Sequence, residues 1–231
     1  METKQKKKQR LDRDAIAMRA AKELKPGDYA NLGLGIPGLC ALFTPKDVIF
    51  HIDIGALNYG PLLAFDEIDK ADFHYHDSQG RFWSPVPGTA VFDVLTSFVM
   101  ARSKRLISIM GALQVSENGD LANWNTGRNA LGGTIGGGMD HAYGAKRLIA
   151  LMEHTTKRGE YRIVKKCTYP LTARECVDLI ITDLAVIEVR LGDLILKEVA
   201  PGWTFDEVQE LTEPVLIPAP DLKEIELQPQ S

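Results

Sequence analysis

Residues able to do chemistry crowd into a few short stretches of this chain. From Gly132 to Asp140 the order is Gly-Gly-Thr-Ile-Gly-Gly-Gly-Met-Asp, so Gly136, Gly137 and Gly138 leave three successive backbone N–H groups uncovered by side chains. Such a loop lets a ligand approach the main chain and offers hydrogen bonds to a phosphate or to an oxyanion forming on a carbonyl carbon. A second glycine pattern, Gly33-Leu34-Gly35-Ile36-Pro37, follows the run that begins at Tyr29. Pro37 suits the first turn of a helix, whose N-terminus would face whatever the loop cradles. A carboxylate, Asp53, closes the strand-like run Val48-Ile49-Phe50-His51-Ile52. A carboxylate within hydrogen-bond reach of a proton serves as a general base.

Further residues are candidates to line such a site. His74 and His76 lie two apart, which puts both imidazoles on one face of a strand. That spacing fits a metal pair, but no third ligand stands at a matching distance, so pocket lining is the reading taken and no metal is expected. His141 is a candidate acid, base or carboxylate anchor if the glycine loop meets substrate; otherwise it is a partly exposed helical residue, the reading taken. Trp83, beside Phe82, lines an acyl pocket or packs the core. Arg128 pairs with a substrate carboxylate or lies on the surface. Glu117 precedes Asn118-Gly119, a turn dipeptide, and reads as part of a surface turn.

Composition narrows the classes. A chain of 231 residues, 45% hydrophobic and 25% charged, can bury a substantial core. A net charge of −4 gives no footprint for nucleic acid. The longest apolar runs, such as Leu148 to Met152, are strand-length, so no membrane span is expected. Residues 1–12 are basic, lack the apolar centre of a secretory signal and read as a disordered tail. Cys40, Cys167 and Cys176 have no C-x-x-C spacing and read as reduced thiols of a cytoplasmic protein.

The elements that must position these residues follow from periodicity. A helix is predicted over 13–24, capped by Asp12 or Asp14 and stopped by Pro26-Gly27. Strands are predicted at 29–34, 48–52, 106–110, 146–152, 177–182, 185–189 and 194–199. Helices are predicted at 89–102, with Val91, Leu95, Phe98 and Val99 on one face, and at 204–211. The alternation implies an α/β fold, an open and mostly parallel sheet covered by helices on both faces, with one domain over 13–213. Ligands of such sheets gather beyond the carboxyl ends of the strands, where the loops after Leu32, after Ile52 and at 132–140 would lie. Residues 214–231, rich in Pro, Glu and Gln, read as a loosely ordered tail.

Taken in order, Asn31 to Pro37, Gly111 to Trp124, Gly136 to Asp140, Met152-Glu153-His154-Thr155 and Lys166 to Thr172 make the chain resemble the β subunit of the class I CoA-transferases, over about residues 15–212. The resemblance implies a coenzyme A thioester as substrate, no permanently bound cofactor, and a separate α subunit as partner. It also implies a glutamate nucleophile in a Ser-Glu-Asn-Gly signature. Ser116-Glu117-Asn118-Gly119 repeats those letters, but its flanks match a different segment of the family, so Glu117 is not taken as the nucleophile. The signature aligns instead with Ile52-Asp53-Ile54-Gly55 and its following Gly60-Pro61. Asp53 stands at the glutamate position, with a side chain shorter by roughly 1.5 Å. Gly33, Gly35, Gly136, Gly137 and Gly138 are the implied oxyanion or CoA contacts, and His141 stands where the family has an apolar residue. A transferase would carry CoA on Asp53. An aspartyl thioester is, however, open to attack by the next backbone nitrogen, so two other readings stay open. One is an acyl-CoA hydrolase, decarboxylase or C–C lyase using Asp53 as base, and the other is a subunit that only supports catalysis by its partner.

Overall fold

Why the chain has one reactive edge follows from the polarity of its central strands. The computed structural model describes residues 8–60, 62–77, 80–127, 134–190 and 192–227. In chain order the elements are α1 (Arg13–Ala21), β1 (Tyr29–Leu32), α2 (Ile36–Leu39), β2 (Ile49–Ile52), β3 (Ala56–Leu57) and β4 (Ala90–Val91). Next come α3 (Val94–Ala101), β5 (Leu106–Gly111), β6 (Gln114–Ser116), β7 (Leu121–Ala122), α4 (Gly138–Gly144) and β8 (Arg147–Met152). The chain continues through β9 (Ile163–Val164), β10 (Leu179–Thr182), β11 (Ala185–Arg190), β12 (Asp193–Val199), α5 (Phe205–Glu210) and β13 (Leu216–Glu224).

Ten of the strands form one sheet in the order β13-β12-β11-β10-β8-β5-β1-β2-β3-β4. Its centre, β10-β8-β5-β1-β2, is parallel throughout. β11, β12, β3 and β4 add antiparallel strands on the two sides. The centre is covered on both faces, which is why its strands are continuously apolar. Along β8, Ile149 and Leu151 face a core with Ile16, Ala20 and Leu24 of the α1 region, and Leu148, Ala150 and Met152 face the other. That second core is closed by α4, α5 and a small sheet of order β7-β6-β9.

Local chemistry accounts for several boundaries. Asp12, rather than Asp14, caps α1 by accepting from the Ala15 amide at 2.8 Å. Thr204 and Glu207 form a capping box on α5. The helix predicted over 89–102 is shorter than expected. Asp93 accepts from the Thr96 amide and starts α3 at Val94, while Ala90 and Val91 pair with β3. Its apolar stripe also faces outward, with Leu95 75% and Val99 63% exposed. Met139 and Tyr143 of the neighbouring α4 are exposed beside it. Gly144 permits that approach, because a Cβ there would lie 2.2 Å from the Ala101 carbonyl oxygen.

Two expectations about the ends are corrected. The stretch from Pro214 onward is not a loose tail, since β13 pairs in parallel with β12 and buries Leu216 and Ala219. Its prolines are tolerated because it is the edge strand, with a register shift in the pairing. At the other end, residues 8–12 are ordered by contacts, with Lys8 pairing Glu207 and Arg10 pairing Asp183 at 2.8 Å. Residues 1–7 lie outside the described residues. No helix among the described residues is long and apolar enough to cross a membrane, and Cys40, Cys167 and Cys176 are free thiols.

His154 explains one of the sequence patterns. Its ring is fully buried, with Nδ1 2.9 Å from the Thr182 hydroxyl and Nε2 2.9 Å from that of Thr212, and its amide donates to Asp183. Burial pushes its pKa down to about 4, so the fold excludes a proton that the unfolded chain takes up near pH 6.5. Stability is therefore complete above about pH 6.5 and declines as pH falls toward 4, by roughly 1.4 kcal/mol per pH unit for each such imidazole. Urea midpoints should drop between pH 6.5 and 5, and His154→Gln should flatten the drop. A midpoint constant over that range would contradict this account.

Candidate active site

Asp53 follows β2 in a turn closed by the Gly55 amide donating to the Ile52 carbonyl at 3.0 Å. Gly55 has φ +120°, and a Cβ there would lie 2.1 Å from the Phe92 carbonyl oxygen. The Phe92 amide donates back to the Gly55 carbonyl at 3.0 Å, so the turn is locked to the segment leading into α3. From below, the buried Ser97 hydroxyl donates to the Ile52 carbonyl at 3.3 Å and lies 2.9 Å from Nε2 of His51. The Asn31 amide nitrogen donates to the His51 carbonyl at 3.0 Å and lies 3.4 Å from its Nδ1. These contacts assign the proton of His51 to Nε2, donating to Ser97, with Nδ1 accepting from Asn31. Burial, reinforced by His141 and opposed by Asp53, pushes the His51 pKa down to about 4 and keeps the ring neutral.

The carboxyl ends of β1, β2, β5 and β8 open into a cleft of about 670 Å³. Asp53 shares it with Gly33 and Gly35, with Thr134 to Gly138, with Asn123 and Trp124, and with His51 and His141. The three loops predicted to gather beyond the strand ends therefore do so, at the switch point where β1 lies between β2 and β5. The glycines divide into two kinds. Gly33 donates its amide to the Ile109 carbonyl at 2.8 Å and Gly138 donates its own to Ile135 at 2.9 Å, so both shape the walls. The Gly136 and Gly137 amides have no acceptor among the described residues. Gly136 adopts φ +51° with nothing within 4 Å of a Cβ position, which leaves the main chain approachable.

His141 departs from its expected exposure. It is 4% exposed on α4, lines the cleft, and its ring lies 5.8 Å from that of His51. Burial lowers its pKa against the opposing pull of Asp53 and Asp140.

Trp83 is 3% exposed and packs with Ile52, Ala56, Tyr59 and Tyr75 behind the cleft rather than lining it. His74 and His76 are also misplaced as lining residues. His74 lies in a turn, not a strand, and both are exposed and outside the cleft. No group of residues that could hold a metal ion occurs among the described residues. Arg128, Gly132 and Gly133 lie outside the described residues. Glu117 sits in the turn between β6 and β7, as read from Asn118-Gly119, and away from the cleft.

Several lining residues escaped the sequence reading, among them Asn31, His51, Arg13, Arg162 and the Arg81–Asp77 ion pair of 2.6 Å. For His51 the signal was present, since it is a polar side chain two residues before Asp53 in an otherwise apolar run.

A family model described as Coenzyme A transferase matches residues 13–211. The β subunit of a probable coenzyme A transferase of Bacillus subtilis is 43% identical over 205 residues, covering 87% of this chain and 93% of that one. The B-type subunit of the 3-oxoadipate CoA-transferase of Acinetobacter baylyi is 40% identical over 213 residues, covering 91% and 97%. The crystal structure of an acyl-CoA transferase of Escherichia coli O157:H7, a thioester complex with CoA, superposes with a TM-score of 0.71 at 18% identity. That match covers 93% of this chain but 43% of the other, so this chain spans less than half the length of that protein, and the likeness speaks for the fold.

Gly55→Ala tests the locked turn. It should lower stability by about 1–3 kcal/mol or more, because strain at positive φ and the Phe92 clash add. Gly159→Ala, also at positive φ (+81°) but with nothing within 4 Å, isolates the conformational part and should cost less. Equal urea midpoints for the two variants would contradict the lock.

Proposed function

The chain belongs to the coenzyme A transferase family, and on that premise we propose that it is the β-type subunit of an enzyme that moves CoA between an acyl-CoA and a carboxylate, a 3-oxo or other short-chain acid. The observation that carries the reading is the meeting in one cleft of Asp53, which the sequence resemblance puts at the place of the family's nucleophile, with the Gly136–Gly137 backbone. An Asp53 oxygen attacks the thioester carbon and expels the CoA thiolate, giving a mixed anhydride. The thiolate then attacks the Asp53 carbonyl and releases the donor acid, leaving an aspartyl–CoA thioester. The acceptor carboxylate runs the same two steps in reverse, so the kinetics are ping-pong. The Gly136 and Gly137 amides, without an acceptor among the described residues, are the donors that would stabilise each tetrahedral oxyanion. The relatives at about 40% identity are named as transferases, which leaves the hydrolase, decarboxylase or lyase reading without support from them.

Two further features support this function. A groove sharing Leu113 and Arg162 with the cleft is lined by Lys157 and Arg158, cations suited to the phosphates of CoA. The exposed Leu95, Val99, Met139 and Tyr143 form an apolar face on α3 and α4, beside the cleft wall that Gly137 and His141 build. An exposed face of this kind marks a protein contact, and the α subunit is the partner proposed for it.

Asp53→Asn should abolish transfer, by on the order of 10⁴-fold or more. Asp53→Glu should preserve or raise it, since the longer side chain recovers the reach of the family's glutamate. Borohydride added after acyl-CoA should convert Asp53 to the alcohol in the peptide spanning Ile52 and Ile54, read by mass spectrometry. Full turnover in Asp53→Asn would end the covalent reading. For the partner, Leu95→Lys with Val99→Glu should lower co-purification of the α subunit without lowering the urea midpoint. Unchanged association would move the contact elsewhere.

A further inference from the structure

Buried imidazoles in this protein are satisfied, with one exception. His154 bonds two threonine hydroxyls, and His51 bonds Ser97 and Asn31. His141, at 4% exposure, has neither ring nitrogen hydrogen-bonded among the described residues. A buried polar group without a partner is costly, and in a cleft wall a group of a bound ligand or a water can supply the missing bond. The position of the ring specifies that group. Its Cδ2 lies 3.3 Å from where a Cβ on Gly137 would sit, its centroid is 5.8 Å from that of His51, and the charge of Asp53 acts on it. It therefore stands beside Gly137, in the same cleft as the Asp53 carboxylate.

We propose that His141 is a catalytic residue that touches substrate, its ring N–H donating a hydrogen bond to a carbonyl oxygen of the acyl group held between Asp53 and Gly137. This rests on the acyl-CoA site described above. Burial keeps the ring neutral, which suits a carbonyl acceptor. A neutral ring has one donor and one acceptor nitrogen, so it polarises a carbonyl without forming an ion pair that would compete with the Asp53 carboxylate. At a ring as buried as this one such a bond is stronger than in water. Two acyl oxygens are within the chemistry: the reacting thioester carbonyl and, in a 3-oxoacyl group, the 3-oxo oxygen.

The test uses the complex with its α subunit, comparing wild type, His141→Leu and His141→Gln on acetoacetyl-CoA and butyryl-CoA with succinate as acceptor. His141→Leu should keep or raise the melting temperature, because an unpartnered polar group is replaced by an apolar one. It should also lower kcat/KM for acetoacetyl-CoA by about 30–100-fold, and His141→Gln, which retains a donor, should recover about tenfold of that. An equal loss on butyryl-CoA assigns the bond to the reacting carbonyl, and a loss confined to acetoacetyl-CoA assigns it to the 3-oxo oxygen. Turnover within about threefold of wild type on both thioesters would overturn the proposal. So would a loss of activity that tracks a fall in melting temperature without rescue by glutamine. Calorimetric titration with acetoacetyl-CoA separates this from the function itself. Weaker binding by His141→Leu in a complex that transfers nothing would end the transferase reading and leave the His141 contact standing.

Discussion

The site depends on one buried chain of hydrogen bonds. Asn31 on β1 holds His51 on β2, His51 holds Ser97 on α3, and Ser97 holds the carbonyl of Ile52, the residue before Asp53. Three elements distant in sequence thus fix the backbone from which the carboxylate projects. The chain works because His51 is neutral, with one donor and one acceptor, and burial keeps it so. A protonated ring would have two donors, and its Nδ1 would oppose the Asn31 amide. The geometry of the site and the acid limit of the fold therefore share a cause.

The parallel centre of the sheet supplies the place where this chain acts. Strands buried on both faces leave the chemistry of the molecule to their ends, and parallel pairing puts the carboxyl ends of β1, β2, β5 and β8 along one edge. Tight glycines then bring the remaining walls close. Gly33 lies against β5, Gly55 against Phe92, and Gly144 against the end of α3. At Gly55 and Gly144 the neighbour is backbone at close to 2 Å from a Cβ position, so a larger residue would have to move an element.

The helical pair α3–α4 has two faces with different duties. Its inner side holds Ser97 and His141, and its outer side shows Leu95, Val99, Met139 and Tyr143. Apolar periodicity in α3 was legible, but periodicity marks a face that is buried without stating whether the chain itself or a partner buries it. The shorter helix has a local cause, since Asp93 is the better cap and Ala90 and Val91 serve β3. The C-terminal segment misled through composition. Its prolines and charges fit an edge strand as well as a loose tail, and only the presence of β12 separates the two.

The sequence by itself determined the central strands, the α1 cap to within Asp12 or Asp14, the glycine loops and the position of Asp53, because each is encoded within a few residues by period, capping chemistry or spacing. The turn at Glu117 was legible for the same reason. What the tertiary structure alone decided are the residues whose meaning lies in a neighbour far along the chain. Trp83 fills a core instead of the cleft, His74 and His76 fall outside it, and His51 becomes a joint through Ser97, 46 residues away. His141 becomes a buried imidazole facing the site because α4 crosses α3 at Gly144. Burial and hydrogen-bond satisfaction belong to packing across the chain, and no local pattern carries them.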